Sequence, residues 1–411
     1  MQHSEYSCRS CGSPKLHPVL SIGPVPLANS LVSEDRLSLP QPRYPLDLAV
    51  CTDCSLVQLL ETVPPEKLFS EYFYFSSFSN AFLQHAREIT EELCASLGLG
   101  HKNLVIEIAS NDGYLLQYFK QKGIPVLGIE PAKNVASVAW DKRGIRTLCR
   151  FFTRELAREI AGRGERADVI IANNVLAHVP DLNGFVAGIG VLLKEEGVAW
   201  IEVPCLLDMV TGCEFDTIYH EHCCYFSATA LDRLFERHGL VIEEVRKIPF
   251  HGGSLCLLVR NGGPSYKSEA LKELIMEEQE WGVNLPASYN QLGCRVFELK
   301  EKLTKLLQEI KLSGKRVAAY GAAAKGTMLL NIFNIKREMV EFVVDRSPYK
   351  QGRYIPGTLQ PVVAPSVLET EKPDFLLLLA WNFADEIIAQ QQEYKHRGGH
   401  FIIPIPELKI V

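Results

Sequence analysis

The chain has 411 residues, 47% of them hydrophobic and 22% charged, and its formal net charge is −6. This length exceeds one ordinary hydrophobic core, so two or three domains are expected. The acidic balance provides no basic surface for nucleic acid, which is therefore not expected as a partner. No membrane partner is expected either, because the longest apolar run, 375–381, is too short to span a bilayer. With no apolar signal segment near its start, the chain is expected to be a cytoplasmic enzyme.

The first region, residues 1–70, is rich in turn residues and carries two cysteine pairs. Cys8 and Cys11 form one Cys-x2-Cys pair, and Cys51 and Cys54 form the other. Four thiolates match the tetrahedral coordination of zinc. The long connection between the pairs leaves two unrelated surface pairs as the alternative. Because four sulfurs leave no open coordination position, the pattern predicts a zinc-binding domain with one structural Zn²⁺ ion and no catalytic metal.

Residues 71–250 alternate between helix and strand patterns. Apolar residues at helical spacing fill residues 75–100, where two glycines end the segment. The stretch NLVIEIASNDGYLLQYFKQKGIPVLGIEP indicates strand, turn, helix and strand, and ADVIIANNVLAHVPDL and GVAWIEVP add further strands. This alternation predicts an α/β fold with a doubly wound, Rossmann-like parallel sheet.

Residues 251–411 are expected to form a second Rossmann-like α/β domain. A long charged amphipathic helix is predicted near 267–312, and VAAYGAAAKGTMLLN then places a Gly-rich turn between a strand and a helix. Gly321 and Lys325 lie in this turn, where the helix N-terminus and the lysine could hold a phosphate. A purely structural turn is the alternative, because the motif is neither a Walker loop nor a complete dinucleotide fingerprint.

The turn after the first strand of the middle region is acidic. Glu107 lies on the strand, Asn111-Asp112-Gly113 forms the turn, and Glu130 ends the next strand about 20 residues on. An acid at that position can accept hydrogen bonds from ribose hydroxyls. The acids would repel a diphosphate but suit the cationic groups of S-adenosylmethionine. The sequence therefore favours a methyl donor over NAD, and an ordinary α/β turn is the alternative.

Several motifs, taken in order, resemble the sugar C-methyltransferases that act on nucleotide-linked deoxysugars. The cysteine pairs come first, EIASNDGYLL, GIEPA and NNVLAHVPDL follow, and YHEH and GAAAKGTMLLN come last. The match covers nearly the whole chain. It implies an N-terminal zinc domain, a central methyltransferase domain and a C-terminal α/β domain, with a dTDP-linked 4-keto sugar as the small-molecule substrate.

The resemblance also implies roles for individual residues. It places Asn111, Asp112 and Gly113 at the methionine side of the cofactor and Glu130 at its ribose. The full set expected around the cofactor is Glu107, Asn111, Asp112, Gly113, Glu130, Pro131, Asn173 and Asn174. EYFYFSSFS resembles the segment that covers cofactor and sugar in the family. If it is extended, Tyr72 and Tyr74 share one face and are candidates for the catalytic site, although packing alone would also explain these aromatic residues.

The segment EFDTIYHEHCCYFS concentrates titratable groups after a strand, near the edge where α/β proteins bind ligands. Methyl transfer to a carbon beside a ketone requires a base that gives an enolate, and a histidine suits this task. A metal site through His220 and His222 is one alternative, but it would need ligands not visible nearby. Core packing is the other alternative, at the cost of burying several polar groups.

The resemblance makes His222 the expected base, with Tyr219 and Glu221 beside it. His178 is a further candidate, with the capping of a turn as its alternative role. On composition alone His220 is an equal candidate for the base, and it is also an expected substrate contact. The predicted function is an S-adenosylmethionine-dependent C-methyltransferase. The alternatives are an NAD-dependent oxidoreductase of a nucleotide sugar and a non-catalytic, zinc-stabilised binding scaffold.

Overall fold

The structure is a computed structural model that describes residues 6–69, 72–250, 252–262 and 267–411. These residues form three β-sheets, one in each of three consecutive units. None of the described helices is long and apolar enough to cross a membrane. The domain starts predicted at residues 71 and 251 lie outside the described residues.

The N-terminal unit is a small antiparallel sheet. Its elements are β1 (Leu16–Ser21), β2 (Asp47–Cys51), β3 (Val57–Leu59) and helix α1 (Pro65–Phe69). The fourth strand, Cys224–Tyr225, comes from a distant part of the chain and pairs with β3. The short strands of this sheet are almost entirely buried along β2 and β3, so the N-terminal sheet is a layer packed against the rest of the molecule.

The central unit alternates helices and strands. Its elements are α2 (Asn80–Leu97), β4 (Val105–Ile108), α3 (Leu116–Gln121), β5 (Val126–Ile129), α4 (Lys133–Arg143), β6 (Thr147–Leu148), α5 (Arg154–Gly162), β7 (Ala167–Asn173), α6 (Leu182–Leu192), β8 (Leu193–Pro204), α7 (Leu206–Thr211), β9 (Cys224–Tyr225), α8 (Ala228–Glu236), β10 (Leu240–Ile248), β11 (Ser254–Asn261) and α9 (Glu269–Trp281). The sheet has the order β10-β11-β8-β7-β4-β5-β6. It is parallel from β8 to β6 and antiparallel at β11 and β10. The predicted Rossmann-like sheet is confirmed.

The inner strands β4, β5 and β7 are mostly apolar and buried because helices cover both faces of the sheet. Phe82, Leu115 and Trp200 belong to the core under α2 and α3, and Leu156 and Phe185 belong to the core on the other face. The carboxyl ends of β4, β5, β7 and β8 consequently meet at one edge, where ligands bind in α/β folds.

The central sheet extends past the domain boundary predicted at residue 250. β11 pairs with β8 on one side and β10 on the other. α9 follows it, and Leu271 on α9 lies in the same core as the helices of this sheet. β11 and α9 pack with the central sheet because their apolar side chains are buried there, and the division of the chain at residue 250 stays a prediction.

The C-terminal unit is a second α/β layer. Its elements are α10 (Asn290–Leu312), β12 (Val317–Tyr320), α11 (Ala324–Ile332), β13 (Val343–Val344), β14 (Val362–Val363), α12 (Val367–Glu371), β15 (Phe375–Leu378), α13 (Ala384–Gln390), α14 (Gln392–His396), β16 (His400–Ile403) and β17 (Lys409–Ile410). Its sheet has the order β14-β13-β12-β15-β16-β17 and is parallel except for β16 with β17. The single helix predicted near 267–312 is in fact α9 and α10. Gly282 takes a left-handed φ of 82°, and Pro286 begins a short 3-10 turn between them.

Candidate active site

The turn between β4 and α3 has a backbone conformation that few residues adopt. Ala109, Asn111 and Gly113 have positive φ angles of 53°, 50° and 76°. A Cβ atom at Gly113 would also lie 2.6 Å from Ile145 Cδ1, so both conformation and space require glycine there. Backbone strain of this kind is concentrated at functional turns.

Three buried acids surround this turn. Glu107, Asp112 and Glu130 are at most 5% exposed. Burial raises the pKa of each above its usual range, to about 7 for Glu130. Arg143 lies 3.3 Å from Asp112, yet Glu107 Oε2 and Asp112 Oδ1 have no hydrogen-bond partner among the described residues. Buried oxygens without donors are the atoms that a cationic or hydroxylated ligand would satisfy.

Glu130 is held at the tip of β5 by main-chain amides. Its Oε2 accepts from Asn111 N at 3.0 Å, and its Oε1 accepts from Ala132 N at 2.8 Å. A carboxylate has about four acceptor sites, so capacity for ribose hydroxyls remains. Pro131 follows directly, and its carbonyl accepts from the Cys149 thiol at 3.5 Å. The residues present fit the ribose end of S-adenosylmethionine.

The aromatic segment 72–78 lies across the turn. Asn111 Oδ1 accepts from Ser76 N at 3.0 Å, and Asn111 Nδ2 donates to the Tyr74 carbonyl at 3.1 Å. Tyr72 donates its hydroxyl to Glu221 Oε2 at 3.2 Å, whereas the Tyr74 ring packs against Phe82. Tyr72 is thus the tyrosine that reaches the segment containing the candidate base.

Asn173 and Asn174 lie at the end of β7. Asn173 Oδ1 is buried without a partner among the residues that the structure describes. Asn174 has a φ of 55°, and it donates two hydrogen bonds to Glu202 on β8. Its main-chain N donates to the Glu202 carbonyl at 2.7 Å, and its Nδ2 donates to Oε1 at 3.3 Å. The end of β7 therefore has a buried amide oxygen that is open to a further donor.

Sequence reasoning missed a histidine that completes this edge. His85 Nε2 on α2 lies 2.6 Å from Oε2 of Glu202, which is fully buried. The His85 ring stacks on Phe250 at 4.4 Å. This pair joins the helix that covers the sheet edge to the strand beneath it. No motif marked it, because a single histidine within an amphipathic helix gives no local signal.

The segment EFDTIYHEHCCYFS brings Tyr219 and His222 together. His222 Nδ1 lies 2.8 Å from the Thr217 carbonyl, and its Nε2 lies 2.9 Å from the Tyr219 hydroxyl. A carbonyl only accepts, so Nδ1 carries the proton and Nε2 accepts from Tyr219. The neutral imidazole with a basic Nε2 is the form that can remove a proton.

Two further groups flank this pair. The His178 ring lies 4.7 Å from that of His222, and burial lowers the pKa of His178 to about 4, which keeps it neutral. Glu221 accepts from Asn29 Nδ2, at 2.7 Å to Oε1 and 3.0 Å to Oε2. Burial raises the pKa of Glu221 to about 7. Asn29 lies in the N-terminal region, and the sequence did not mark it as a site residue.

His220 points away from this group. Its Nε2 lies 3.2 Å from the Tyr44 carbonyl and 3.1 Å from the Pro45 carbonyl. These contacts favour a structural role for His220 and make it a weaker candidate for the base than His222. Substrate contact by His220 stays a prediction. The alternative of a metal site at His220 and His222 is also not supported, because these histidines form no metal-type cluster among the described residues.

Lys325 of the Gly-rich turn contacts the same segment. Its Nζ lies 3.5 Å from Glu214 Oε2 and 4.4 Å from the centre of the Trp381 ring. Asp216 accepts from Trp381 Nε1 at 2.7 Å. Gly321 has a φ of 97°, and a Cβ there would lie 2.8 Å from Ala380 Cβ. The C-terminal unit thus docks on the segment through Lys325, and phosphate binding by this lysine stays a prediction.

The four predicted metal ligands lie together. The sulfurs of Cys8, Cys11, Cys51 and Cys54 are all within 4.8 Å of one another. The Cys8–Cys54 and Cys11–Cys51 sulfur distances are 3.4 Å and 3.6 Å. Tetrahedral zinc, with bonds of about 2.3 Å to sulfur, separates its ligands by about 3.8 Å. The cluster fits one closed zinc site, whereas two unrelated surface pairs would not converge.

Family models match three consecutive parts of the chain. They are described as "Putative zinc binding domain" for residues 8–69, "Methyltransferase domain" for 81–245 and "C-methyltransferase C-terminal domain" for 249–406. The C-methyltransferase NovU of Streptomyces niveus is 35% identical over 405 residues, which are 98% of this chain and 96% of NovU. The chain belongs to this C-methyltransferase family. The predicted activity, S-adenosylmethionine-dependent C-methyl transfer, is confirmed, whereas the sugar substrate stays a prediction.

More distant proteins match only part of this C-methyltransferase. A ubiquinone biosynthesis O-methyltransferase of Bartonella quintana is 27% identical over 120 residues, which are 28% of this chain and 49% of that protein. The structure of magnesium protoporphyrin IX methyltransferase from Synechocystis PCC 6803, with bound SAM, has 16% identity and a TM-score of 0.34. The match covers 43% of this chain and 79% of the Synechocystis chain.

Proposed function

We propose that this C-methyltransferase acts on a nucleotide-linked 4-keto deoxysugar, with dTDP as the carrier, and methylates a carbon beside the ketone. The observation that carries the proposal is the pair of contacts made by His222: Nδ1 lies 2.8 Å from the Thr217 carbonyl, and Nε2 lies 2.9 Å from the Tyr219 hydroxyl. A neutral ring in this position carries its proton on Nδ1 and has Nε2 as its basic atom. Carbon becomes nucleophilic beside a ketone only after a base has removed its proton. The resemblance of the motif order to sugar C-methyltransferases supports the sugar class.

The proposed reaction begins when His222 Nε2 takes the proton beside the ketone. The electron pair of the C–H bond then forms the enolate, and the Tyr219 hydroxyl, which otherwise donates to Nε2, donates to the enolate oxygen. When bound, S-adenosylmethionine supplies the methyl group, whose bond to sulfur breaks with its electron pair left on sulfur. The enolate carbon forms the new C–C bond and the ketone is restored. Neutral His178 and the Glu221 carboxyl flank the site.

The proposed cofactor position uses the acidic turn. Glu107 Oε2 and Asp112 Oδ1, which lack donors among the described residues, would face the cationic methionine end, and Glu130 would accept from the ribose. Asn173 would contribute its buried Oδ1 at the sheet edge. In this arrangement the central unit binds the methyl donor, and Gly321 and Lys325 of the C-terminal unit contact the nucleotide sugar.

The test is exchange of the proton beside the ketone with solvent deuterium, measured by mass spectrometry on a panel of 4-keto dTDP-sugars. His222→Asn should lose at least about two orders of magnitude in exchange and turnover, the range of general-base catalysis. Its affinity for S-adenosylmethionine should stay unchanged, because the loss falls on the transition state. His101→Asn, at an exposed histidine outside the site, is the control. Exchange at the wild-type rate in His222→Asn would exclude His222 as the base.

A structural zinc ion is part of the same proposal. The four convergent sulfurs complete a closed tetrahedral shell, which leaves no position for substrate. Metal analysis should find one zinc per chain in the wild type and loss of zinc in both Cys11→Ser and Cys54→Ser. Zinc retained in both variants would contradict the assignment.

A further inference from the structure

The turn that carries the proposed base is anchored to the N-terminal unit through its main chain. Leu59 N donates to the Cys223 carbonyl at 3.0 Å, and β9, the next two residues, pairs with β3. His220 contacts the carbonyls of Tyr44 and Pro45. These bonds attach the turn two residues before His222, through the His220 side chain, and one residue after it, through the Cys223 carbonyl.

The side chains of the turn divide into two sets. Tyr219 and His222 contact each other, whereas His220 and Glu221 contact the N-terminal unit. Glu221 does so through Asn29, whose Nδ2 lies 2.7 Å and 3.0 Å from the two carboxylate oxygens. The N-terminal unit is therefore in direct contact with a carboxyl group that lies one residue from the proposed base.

The contact with Asn29 matters because Glu221 is only 2% exposed. A buried carboxylate is costly unless donors satisfy it. The donors given by the structure are Asn29 Nδ2 and the Tyr72 hydroxyl. Both favour the charged form of Glu221 over the neutral acid, against the effect of burial. Asn29 Nδ2 contacts both oxygens, so it also holds the carboxylate group in place.

We propose that Asn29 is a positioning residue of the methyl-transfer site, through which the N-terminal unit fixes the orientation and charge of Glu221. The proposal rests on the proposed function, since it takes the 219–222 turn as the site of chemistry. Glu221 in turn holds the Tyr72 hydroxyl of the segment that covers the cofactor turn. Asn29 thereby connects the N-terminal unit to both walls of the site.

The first measurement needs no substrate. Infrared difference titration, with Glu221→Gln subtracted to isolate the Glu221 carboxyl, reports its protonation midpoint in the folded protein. Asn29→Ala should raise this midpoint by about one pH unit, because a donor that favours the carboxylate is lost. Gln41→Ala is the matched control, since Gln41 accepts from Gly357 N elsewhere in the N-terminal unit. An unchanged midpoint in Asn29→Ala overturns the proposal.

The second measurement is the pH profile of turnover. Asn29→Ala should lower kcat near pH 7 about tenfold, roughly the loss of one hydrogen bond to a charged group. The pH dependence of kcat should shift in the same direction as the midpoint, while affinity for S-adenosylmethionine by calorimetry stays at the wild-type value. In the Glu221→Gln background the same substitution should add little. An undiminished effect there would show that Asn29 acts otherwise and would overturn the proposal.

The two proposals fail in different ways. If wild-type enzyme neither exchanges nor methylates any 4-keto sugar, the proposed function fails, and the substrate-free titration still decides the role of Asn29. If the wild type is active and the titration of Asn29→Ala is unchanged, only the role of Asn29 fails. Should Asn29→Ala not fold, Asn29→Asp keeps the size and replaces the donor by an acceptor. It should raise the midpoint further, and an unchanged midpoint again overturns the proposal.

Discussion

Two strand-to-helix turns in this protein share one hydrogen-bonding design. After β4, Glu130 at the next strand tip accepts from Asn111 N at 3.0 Å and Ala132 N at 2.8 Å. After β12, Asp345 follows β13 and accepts from Ala322 N and Ser347 N, both at 2.8 Å. In each case the acid bonds to the turn and to the amide two residues beyond itself.

The surroundings of the two acids differ. Glu130 lies near two further acids, each of which has an oxygen with no donor among the residues that the structure describes. Asp345 lies 3.5 Å from Lys350 Nζ, which also donates to the Ala322 carbonyl at 2.9 Å. At the second turn the cation lies beside the strand-tip acid itself. At the first turn the chain's cation, Arg143, lies beside Asp112, and Glu107 Oε2 and Asp112 Oδ1 still have no donor among the described residues. The backbone design alone does not make a binding site, and the second turn gives no support to the NAD alternative.

The largest expected effect comes from removing the cation of the second turn. The side chains of Lys350 and Asp345 are 9% and 13% exposed, so Lys350→Met leaves a poorly solvated charge unpaired. Its free energy of unfolding should fall by about 3–5 kcal/mol, the cost of breaking a buried pair. Urea denaturation measures this, and adding Asp345→Asn should recover much of the loss. A loss of unfolding free energy below about 1 kcal/mol in Lys350→Met would be typical of a weak surface ion pair. It would remove the predicted difference between the two turns.

The next effect compares the two acids as ligands. Glu130→Ala should weaken binding of S-adenosylmethionine by about 1.5–3 kcal/mol, the range for hydrogen bonds to charged groups. Asp345→Ala should leave that affinity unchanged. Calorimetry on both variants, each checked for native circular dichroism, makes the comparison. Equal losses in the two variants would show that the turns do not differ in role.

A third expected effect is a pH dependence of stability. Burial raises the pKa of Glu130 from 4.5 to about 7. The stability that this group contributes is therefore fully present below pH 4.5 and is lost as pH rises through about 7. Glu130→Gln should remove that part. At about 1.4 kcal/mol for each pKa unit, the wild type should lose at most about 3 kcal/mol of stability relative to the variant over this window. If the difference in unfolding free energy between the wild type and Glu130→Gln is the same at pH 4.5 and pH 7.5, the pKa of Glu130 is not raised and the prediction is wrong.

Local patterns predicted what lies close together in the chain. The cysteine pairs, the turn at Asn111–Gly113 and the strand that ends at Glu130 are each short motifs with a direct physical reason. Their arrangement at one sheet edge followed from the alternation of strands and helices. The break between α9 and α10 was visible as Gly282 and Pro286, but the helical periodicity on both sides concealed it.

Partners that are distant in sequence could not be predicted in the same way. Asn29 with Glu221, His85 with Glu202, and Lys325 with Glu214 each join separate elements. A hydrogen bond between such residues leaves no periodicity in either segment. The place of β11 could not be predicted for a related reason: it enters the central sheet between strands made earlier, and a linear division of the chain cannot show that.

The position of β9 sets an order for folding during synthesis. One edge of β3 pairs with β2, and the other pairs with β9. That second edge stays unpaired until residues 224–225 have been synthesised. Pairings between such distant segments form late, after a large loop has closed. A fragment that stops after α1 would expose that edge to other chains. Most of the central unit must therefore be synthesised before the N-terminal sheet can be completed.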